Sequence, residues 1–426
     1  TALEANPSIA QFWLSYIDAL IQLDRLEEAK TVLGQAKTNG ATGDGFDLIG
    51  EKLNQLELGN DEISQAQNPH QDVLDVLADL YAKGLLKQVL KQAQILLKKF
   101  PNSFILHNIV GGVYQGLGKF EDAIISFNKA ISIKPDYAEA LNNLGIVLKE
   151  QKKLEEAMVA HERALNIRPD YAEAHYNMGI IFQKSGNLLS ALSAYENAVK
   201  IKPDYAEAYN NMGIVLKDLG KLENSIAAYS KSLAINPESA TTYFNMANTY
   251  YLDDNHDKGI KYYYKALKID PSYAEAYNSL GAIFEAKNQI EKAKAVYKKA
   301  LIVKPDYAAV HKQLSSISMY SSSDPHLTKV KSLLDDNNLD DESRSQLCFA
   351  LAKMYEDTGE HHKSFAHLSE GNALRKKLFN YSISKDQNLF KDLKVSQSNI
   401  LKNSFGIKEV SAGPTPIFIV GMPRSG

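Results

Sequence analysis

Between residues 104 and 307 apolar and small side chains return at helical spacing in blocks of about a dozen residues, and a short polar turn separates each block from the next. The pattern predicts pairs of amphipathic helices folded into hairpins. Its period is fixed by proline: Pro101, Pro135, Pro169, Pro203, Pro237, Pro271 and Pro305 stand 34 residues apart, and Pro-Asp-Tyr-Ala follows several of them. Small residues keep the same register. Gly145, Ala157 and Ala164 return as Gly179, Ala191 and Ala198, so the two helices of a hairpin are expected to approach closely, with Leu144, Leu148 and Tyr195 filling the gaps. At each helix start a proline lacking an amide hydrogen suits the boundary. Asp136 is expected to cap the helix from Ala138, with Glu139 reaching back to it. One hairpin cannot bury its apolar face alone, so neighbours must stack into a solenoid with a concave and a convex side.

The six units from Phe104 to Tyr307 resemble tetratricopeptide repeats, whose length is about 34 residues. The resemblance implies an all-α, right-handed α-solenoid that binds proteins. Weaker signals extend it into an expected organisation along the chain. A degenerate N-terminal hairpin covers 1–45 (Phe12, Trp13, Tyr16, Leu20, Ala29, Ala36), ended by the Gly-rich Asn39–Gly45, and a linker or helix covers 46–69. The repeat array covers 70–307, in units 70–103, 104–137, 138–171, 172–205, 206–239, 240–273 and 274–307. A degenerate repeat and linker follow over 308–344, then a last repeat-like hairpin over 345–378, connecting helices over 379–413 and the start of a different domain at 414–426.

Composition narrows the function classes. With 426 residues, 44% apolar and 23% charged, the chain has the make-up of a folded protein. A net charge of −3 and a pI near 6.4 supply no basic field for nucleic acid. The single cysteine, Cys348, forms no internal disulfide, and no apolar run approaches the roughly 20 residues of a membrane helix. The expected setting is the cytoplasm, although a segment before Thr1 could carry a targeting signal.

The sixth residue of the first helix is asparagine in four successive units: Asn143, Asn177, Asn211 and Asn245, with Ile109 and Ser279 in the flanking ones. The row resembles the asparagine ladder of O-GlcNAc transferase repeat arrays, which implies recognition of an extended peptide backbone in the concave groove. An amide both donates and accepts, so it suits any peptide sequence. The other reading is that these amides tie neighbouring repeats together. Glu139, Glu173 and Glu207, four residues earlier, either make the groove acidic and suited to a basic or neutral peptide, or serve only the helix starts. His361, His362 and His367 do not fall on one helix face with a thiol or carboxylate partner, so no metal site is expected there. Tyr262–Tyr264 reads as packing and rim, and Arg375–Lys377 as a solvated helix end.

At the C-terminus Pro416–Val420 has the signature of a buried strand and runs into Gly421-Met422-Pro423-Arg424-Ser425-Gly426. A buried strand delivering such a loop is how doubly wound α/β folds offer amides, a cation and a hydroxyl to a phosphate. Residues Gly421–Gly426 resemble the opening of the phosphosulfate-binding loop of sulfotransferases, including those joined to tetratricopeptide repeats. The resemblance implies that Arg424, Ser425 and Gly426 bind the 5′-phosphosulfate of 3′-phosphoadenosine 5′-phosphosulfate, whose sulfuryl group a hydroxyl acceptor attacks in line. The 3′-phosphate site, the general base and the acceptor pocket would then be encoded beyond Gly426. The rivals are a scaffold or co-chaperone and an O-GlcNAc transferase; the latter lacks any account of the Pro-Arg-Ser-Gly loop.

Overall fold

The computed structural model describes residues 10–22, 25–41, 43–53, 68–336 and 338–380, with 382, 384, 387–388, 390–392 and 394 beyond them. All regular elements among the described residues are helices, and the chain divides into two compact units, Thr1–Asp254 and Asn255–Gly426. The expected strand at 416–420 and the loop at 421–426 lie outside the described residues.

The first unit opens with a hairpin, Ala10–Gln22 and Leu26–Thr38, whose Trp13, Ile17, Leu20, Ala29 and Ala36 form a core completed by Phe46 and Leu53 of the helical stretch 44–53. Hairpins follow at Gln71–Ala82/Leu86–Lys99, Phe104–Gly116/Phe120–Ile133, Ala138–Glu150/Leu154–Ile167, Ala172–Lys184/Leu188–Ile201 and Ala206–Asp218/Leu222–Ile235, and the unit ends with the helix Ala240–Leu252.

Each hairpin from 104 to 235 is closed by one ring on its second helix lying over one glycine on its first. Phe127, His161, Tyr195 and Tyr229 are all 0% exposed, which makes this slot the centre of the packing. They cover Gly111, Gly145, Gly179 and Gly213, where an added Cβ would come within 2.6, 2.6, 2.5 and 2.5 Å of the ring. The expected close approach is therefore present, and the glycines are steric requirements. A second requirement sits in the turn between the helices. Gly84, Gly118, Gly186 and Gly220 have positive φ, and so do Lys152 and Asp254 at the same repeat position.

The helix starts differ from expectation. Tyr137, Tyr171 and Tyr205 occupy the cap positions with no side-chain cap bond, while only Ser103 and Ser239 among the repeat starts of this unit cap in the ordinary way, by accepting from Leu106 N and Thr242 N. Asp136 does not cap, because the helix begins at Ala138 and leaves Asp136 one residue too early. Glu139 does not reach back either; it pairs with Arg168 at 2.7 Å. The tyrosines instead pack on their own repeats: Tyr137 meets Phe104, the first residue of the same repeat, edge to face at 4.9 Å, and the Arg168 guanidinium lies 3.6 Å from the centre of the Tyr171 ring.

The second unit holds the helix His256–Ile269, the hairpin Ala274–Ala286/Ile290–Val303, the shorter helices Ala308–Ser316 and Pro325–Leu334, and a final hairpin of Asp341–Asp357 and His361–Leu378. Tyr297 over Gly281 repeats the ring-on-glycine slot. Pro325 at the first turn and the Asp324 cap, which accepts from His326 N at 2.7 Å, start the helix that follows the break in the pattern. A polar chain crosses that break. His311 Nε2 lies 3.0 Å from the Pro305 carbonyl and must donate to it, so His311 Nδ1 accepts from His326 Nε2 at 2.7 Å and His326 Nδ1 accepts from the Tyr320 hydroxyl at 2.9 Å. Every proton is assigned with both rings neutral. Burial, with His311 beside it, pushes His326 down to about 4.

Candidate binding face

The stacking of first helices in the first unit carries the asparagine row. Asn177 is 6% exposed, whereas Asn143, Asn211 and Asn245 are half-buried. Each is tied to the helix before it: Asn143 Nδ2 donates to Asn108 Oδ1 at 3.1 Å, Asn177 to Asn142 Oδ1 at 3.2 Å, Asn211 to the Tyr176 hydroxyl at 3.2 Å and Asn245 to Asn210 Oδ1 at 3.1 Å. The row thus consists of two positions in register, the sixth residue of one helix and the fifth of the previous one. The fifth position (Asn108, Asn142, Tyr176, Asn210) was not singled out in the sequence, although the 35-residue offset between partners was there to be found. A primary amide has two N–H groups and two carbonyl lone pairs, so one donated bond leaves capacity for a further partner.

Two depressions lie along this row. One, about 350 Å³, is lined by Leu77, Tyr81, Asn108, Ile109, Gly112 and Asn143 and is mainly apolar, with Ile109 standing where later units have asparagine. The other, about 230 Å³, is mixed in character and includes Tyr176, Glu207, Asn210, Asn211 and Thr242.

The glutamates are less acidic in effect than the sequence suggests. Glu139 meets Arg168 at 2.7 Å and Glu173 meets Lys202 at 3.3 Å, each partner 29 residues further on; in the second unit Glu275 meets Lys304 in the same way at 3.8 Å. For Glu207 the corresponding residue is Asn236, so the negative charge that this face offers is concentrated there. Tyr176 is held above the usual phenol range chiefly by burial, then by Glu207, and stays a neutral partner for Asn211.

Of the other residues named from the sequence, Arg424, Ser425 and Gly426 lie outside the described residues. His361 and His362 open the last helix, while His367 lies one to two turns further on, beside Cys348 and Glu370. The expectation that His367 lacks a thiol and carboxylate neighbour is corrected, because the hairpin brings Cys348 across from the facing helix. Burial and Glu370 push the Cys348 thiol up to about 12.

Residues 111–152, 147–186 and 184–220 match a family model described as TPR repeat, and 204–272 and 238–303 match one described as tetratricopeptide repeat. Among solved structures, YrrB, described as a TPR protein with an unusual peptide-binding site, is 21% identical over 44% of this chain and 96% of its own, with a TM-score of 0.38. A tetratricopeptide repeat protein from Parabacteroides merdae is 20% identical over 58% of this chain and 98% of its own, with a TM-score of 0.45. Cut9–Hcn1 of the APC/C is 15% identical over 74% of this chain and 57% of its own, with a TM-score of 0.49. No curated protein matches. Residues 111–303 are therefore built of tetratricopeptide repeats, a scaffold suited to protein binding, and no described helix is long and apolar enough to cross a membrane.

Proposed function

We propose that the repeat face of the first unit binds an extended segment of another protein through Asn143, Asn177, Asn211 and Asn245. The observation that carries this reading is the register of the row: four amides one repeat apart, three of them half-buried, each held in orientation by one bond to the preceding helix. Amides oriented in this way bind without first losing side-chain freedom, and each contributes about 0.5–1.5 kcal/mol to a peptide group. The apolar depression at Ile109 adds a seat for one side chain, and Glu207 favours a basic or neutral segment over an acidic one.

The Gly421–Gly426 motif supports extending the reading to catalysis. In that extension the repeats gather a protein, peptide or glycan substrate, Arg424, Ser425 and Gly426 hold the phosphosulfate of 3′-phosphoadenosine 5′-phosphosulfate, and sulfate passes to a substrate hydroxyl. One cysteine, and that one buried, suits a reducing cytoplasmic setting.

Fluorescence anisotropy with a pool of labelled, extended basic and neutral peptides tests the first part. Alanine at all four asparagines should weaken binding about tenfold or more with the circular dichroism spectrum unchanged; unchanged affinity would reduce the row to an inter-repeat tie. Calorimetric titration of the gene's whole product with 3′-phosphoadenosine 5′-phosphate tests the second. Binding that Arg424→Ala abolishes supports the transferase, and peptide capture without nucleotide binding leaves a scaffold.

A further inference from the structure

The last hairpin brings together a core cysteine and two half-buried side chains of the facing helix. Helix Asp341–Asp357 supplies Cys348, and helix His361–Leu378 supplies His367 and Glu370, which are three residues apart and so share a face. Gly371 lets the helices close up, since a Cβ there would lie 3.3 Å from the Cβ of Cys348. As a result the Cys348 sulfur, a ring nitrogen of His367 and a carboxylate oxygen of Glu370 all lie within 4.8 Å of one another.

We propose that Cys348, His367 and Glu370 bind a single divalent transition-metal ion, zinc by preference. Sulfur, imidazole nitrogen and carboxylate oxygen are the zinc donor set, with bonds of about 2.0–2.3 Å that put donor atoms roughly 3.3–3.8 Å apart in a tetrahedron. Side-chain rotations of about an ångström bring the three donors to that spacing. A separate observation points to a ligand: His367 Nδ1 is buried and makes no hydrogen bond to any described residue. The donors are also held from behind. Arg344 Nε donates to Glu370 Oε1 at 2.8 Å, which orients the carboxylate, the Cys348 thiol hydrogen-bonds to the same carboxylate, and Tyr355 stacks on the His367 ring with centroids 5.6 Å apart and planes within 1°. Cys348 is buried, whereas His367 and Glu370 are half-buried, so an ion enters from their side.

Binding breaks the Cys348 S–H bond, forms a sulfur–metal bond and passes one proton to solvent; no electron changes hands. Thiolate and carboxylate together neutralise the ion. Three protein ligands leave a fourth position for water or an incoming ligand. The bound ion cross-links the two helices of the hairpin.

Because Cys348 is the chain's single cysteine, cobalt gives an unambiguous readout. Titrating the metal-free protein with Co²⁺ should produce a near-ultraviolet thiolate-to-cobalt charge-transfer band that saturates at one equivalent, releases one proton and disappears on adding Zn²⁺. Cys348→Ser should remove the band. His367→Gln and Glu370→Gln, at half-buried positions that tolerate the change, should each weaken cobalt binding about tenfold or more. Absence of the band in the wild-type protein overturns the proposal, and so does a band that survives both of these substitutions unweakened.

Discussion

The hairpins Ala138–Ile167 and Ala172–Ile201 are the same length, sit side by side in one unit and share the ring-on-glycine slot, yet they fill it differently. In the second, Tyr195 is buried and its hydroxyl donates to Gln183 Oε1 at 3.0 Å, so apolar ring and polar tip are both satisfied. In the first, His161 occupies the slot with neither ring nitrogen hydrogen-bonded to any described residue, and Lys149 stands where Gln183 would be. The turns differ as well: Gly186 has φ +77, and Lys152 holds φ 64 with a full side chain. The comparison teaches that the repeat fold tolerates local misfits, because each hairpin is also held by its neighbours, and that the cost of those misfits is concentrated in one unit of the array.

The sharpest break in that comparison is acid. Burial first, and Lys149 second, push His161 down to about 4 from an ordinary 6.5. The unfolded chain therefore binds the proton more readily than the folded one. Stability is full above about pH 6.5 and falls as the pH drops towards 4, by about 2 kcal/mol at pH 5 for this group. His161→Phe, copying Phe127 one repeat earlier, removes two unsatisfied buried nitrogens and should add about 1 kcal/mol at pH 7. Its advantage should grow to about 3 kcal/mol at pH 5. Hydrogen exchange of the amides over 138–167 is the right measure, since a global urea transition reports the whole array. A wild-type and mutant difference independent of pH would show that His161 takes up its proton in place.

The second test asks how firmly each ring is held. A methyl added at Gly179 meets the Tyr195 ring at 2.5 Å, and the hydroxyl tether to Gln183 keeps that ring from moving aside. Gly179→Ala should cost about 2 kcal/mol, the strain of overpacking exceeding the gain in helix propensity. Gly145→Ala meets His161 at 2.6 Å; that ring is as buried as Tyr195 but has no hydrogen bond to a described residue to lose on shifting, so the change should cost less, about 1 kcal/mol. Equal losses in the exchange stability of the two hairpins would contradict this account.

Much of this was legible in the sequence, because the 34-residue period writes the same physical demands repeatedly. Gly145 and Gly179 announce close helix contact, and the step from Tyr195 back to His161 could have been read as a misfit by aligning the slots. Asp136 misled, since a Pro-Asp pair looks like a cap when the start of the helix is known only to within a residue. The Cys348–His367–Glu370 cluster was hidden for another reason: residues 19 and 22 apart in sequence meet only once the register of the last hairpin is known. The second row of ladder positions is harder to see because Tyr176 interrupts its asparagines, so no single residue type marks it.

The smallest expected effect lies in the turn. Left-handed backbone costs a residue with a Cβ about 1 kcal/mol, less for asparagine and aspartate, whose side chains bond locally. The chain follows that order: glycine at 84, 118, 186 and 220, aspartate at 254, asparagine at 288, and lysine only at 152. Lys152→Gly should therefore stabilise the hairpin by about 0.5–1 kcal/mol, after allowing for the extra freedom glycine gives the unfolded chain, and Lys152→Asn by about half as much. The reverse change, Gly186→Lys, should cost the neighbouring hairpin a similar amount. If all three variants leave the exchange rates of their hairpins unchanged, the turn relaxes to accommodate its residue, and the contrast between the two hairpins rests on the buried ring alone.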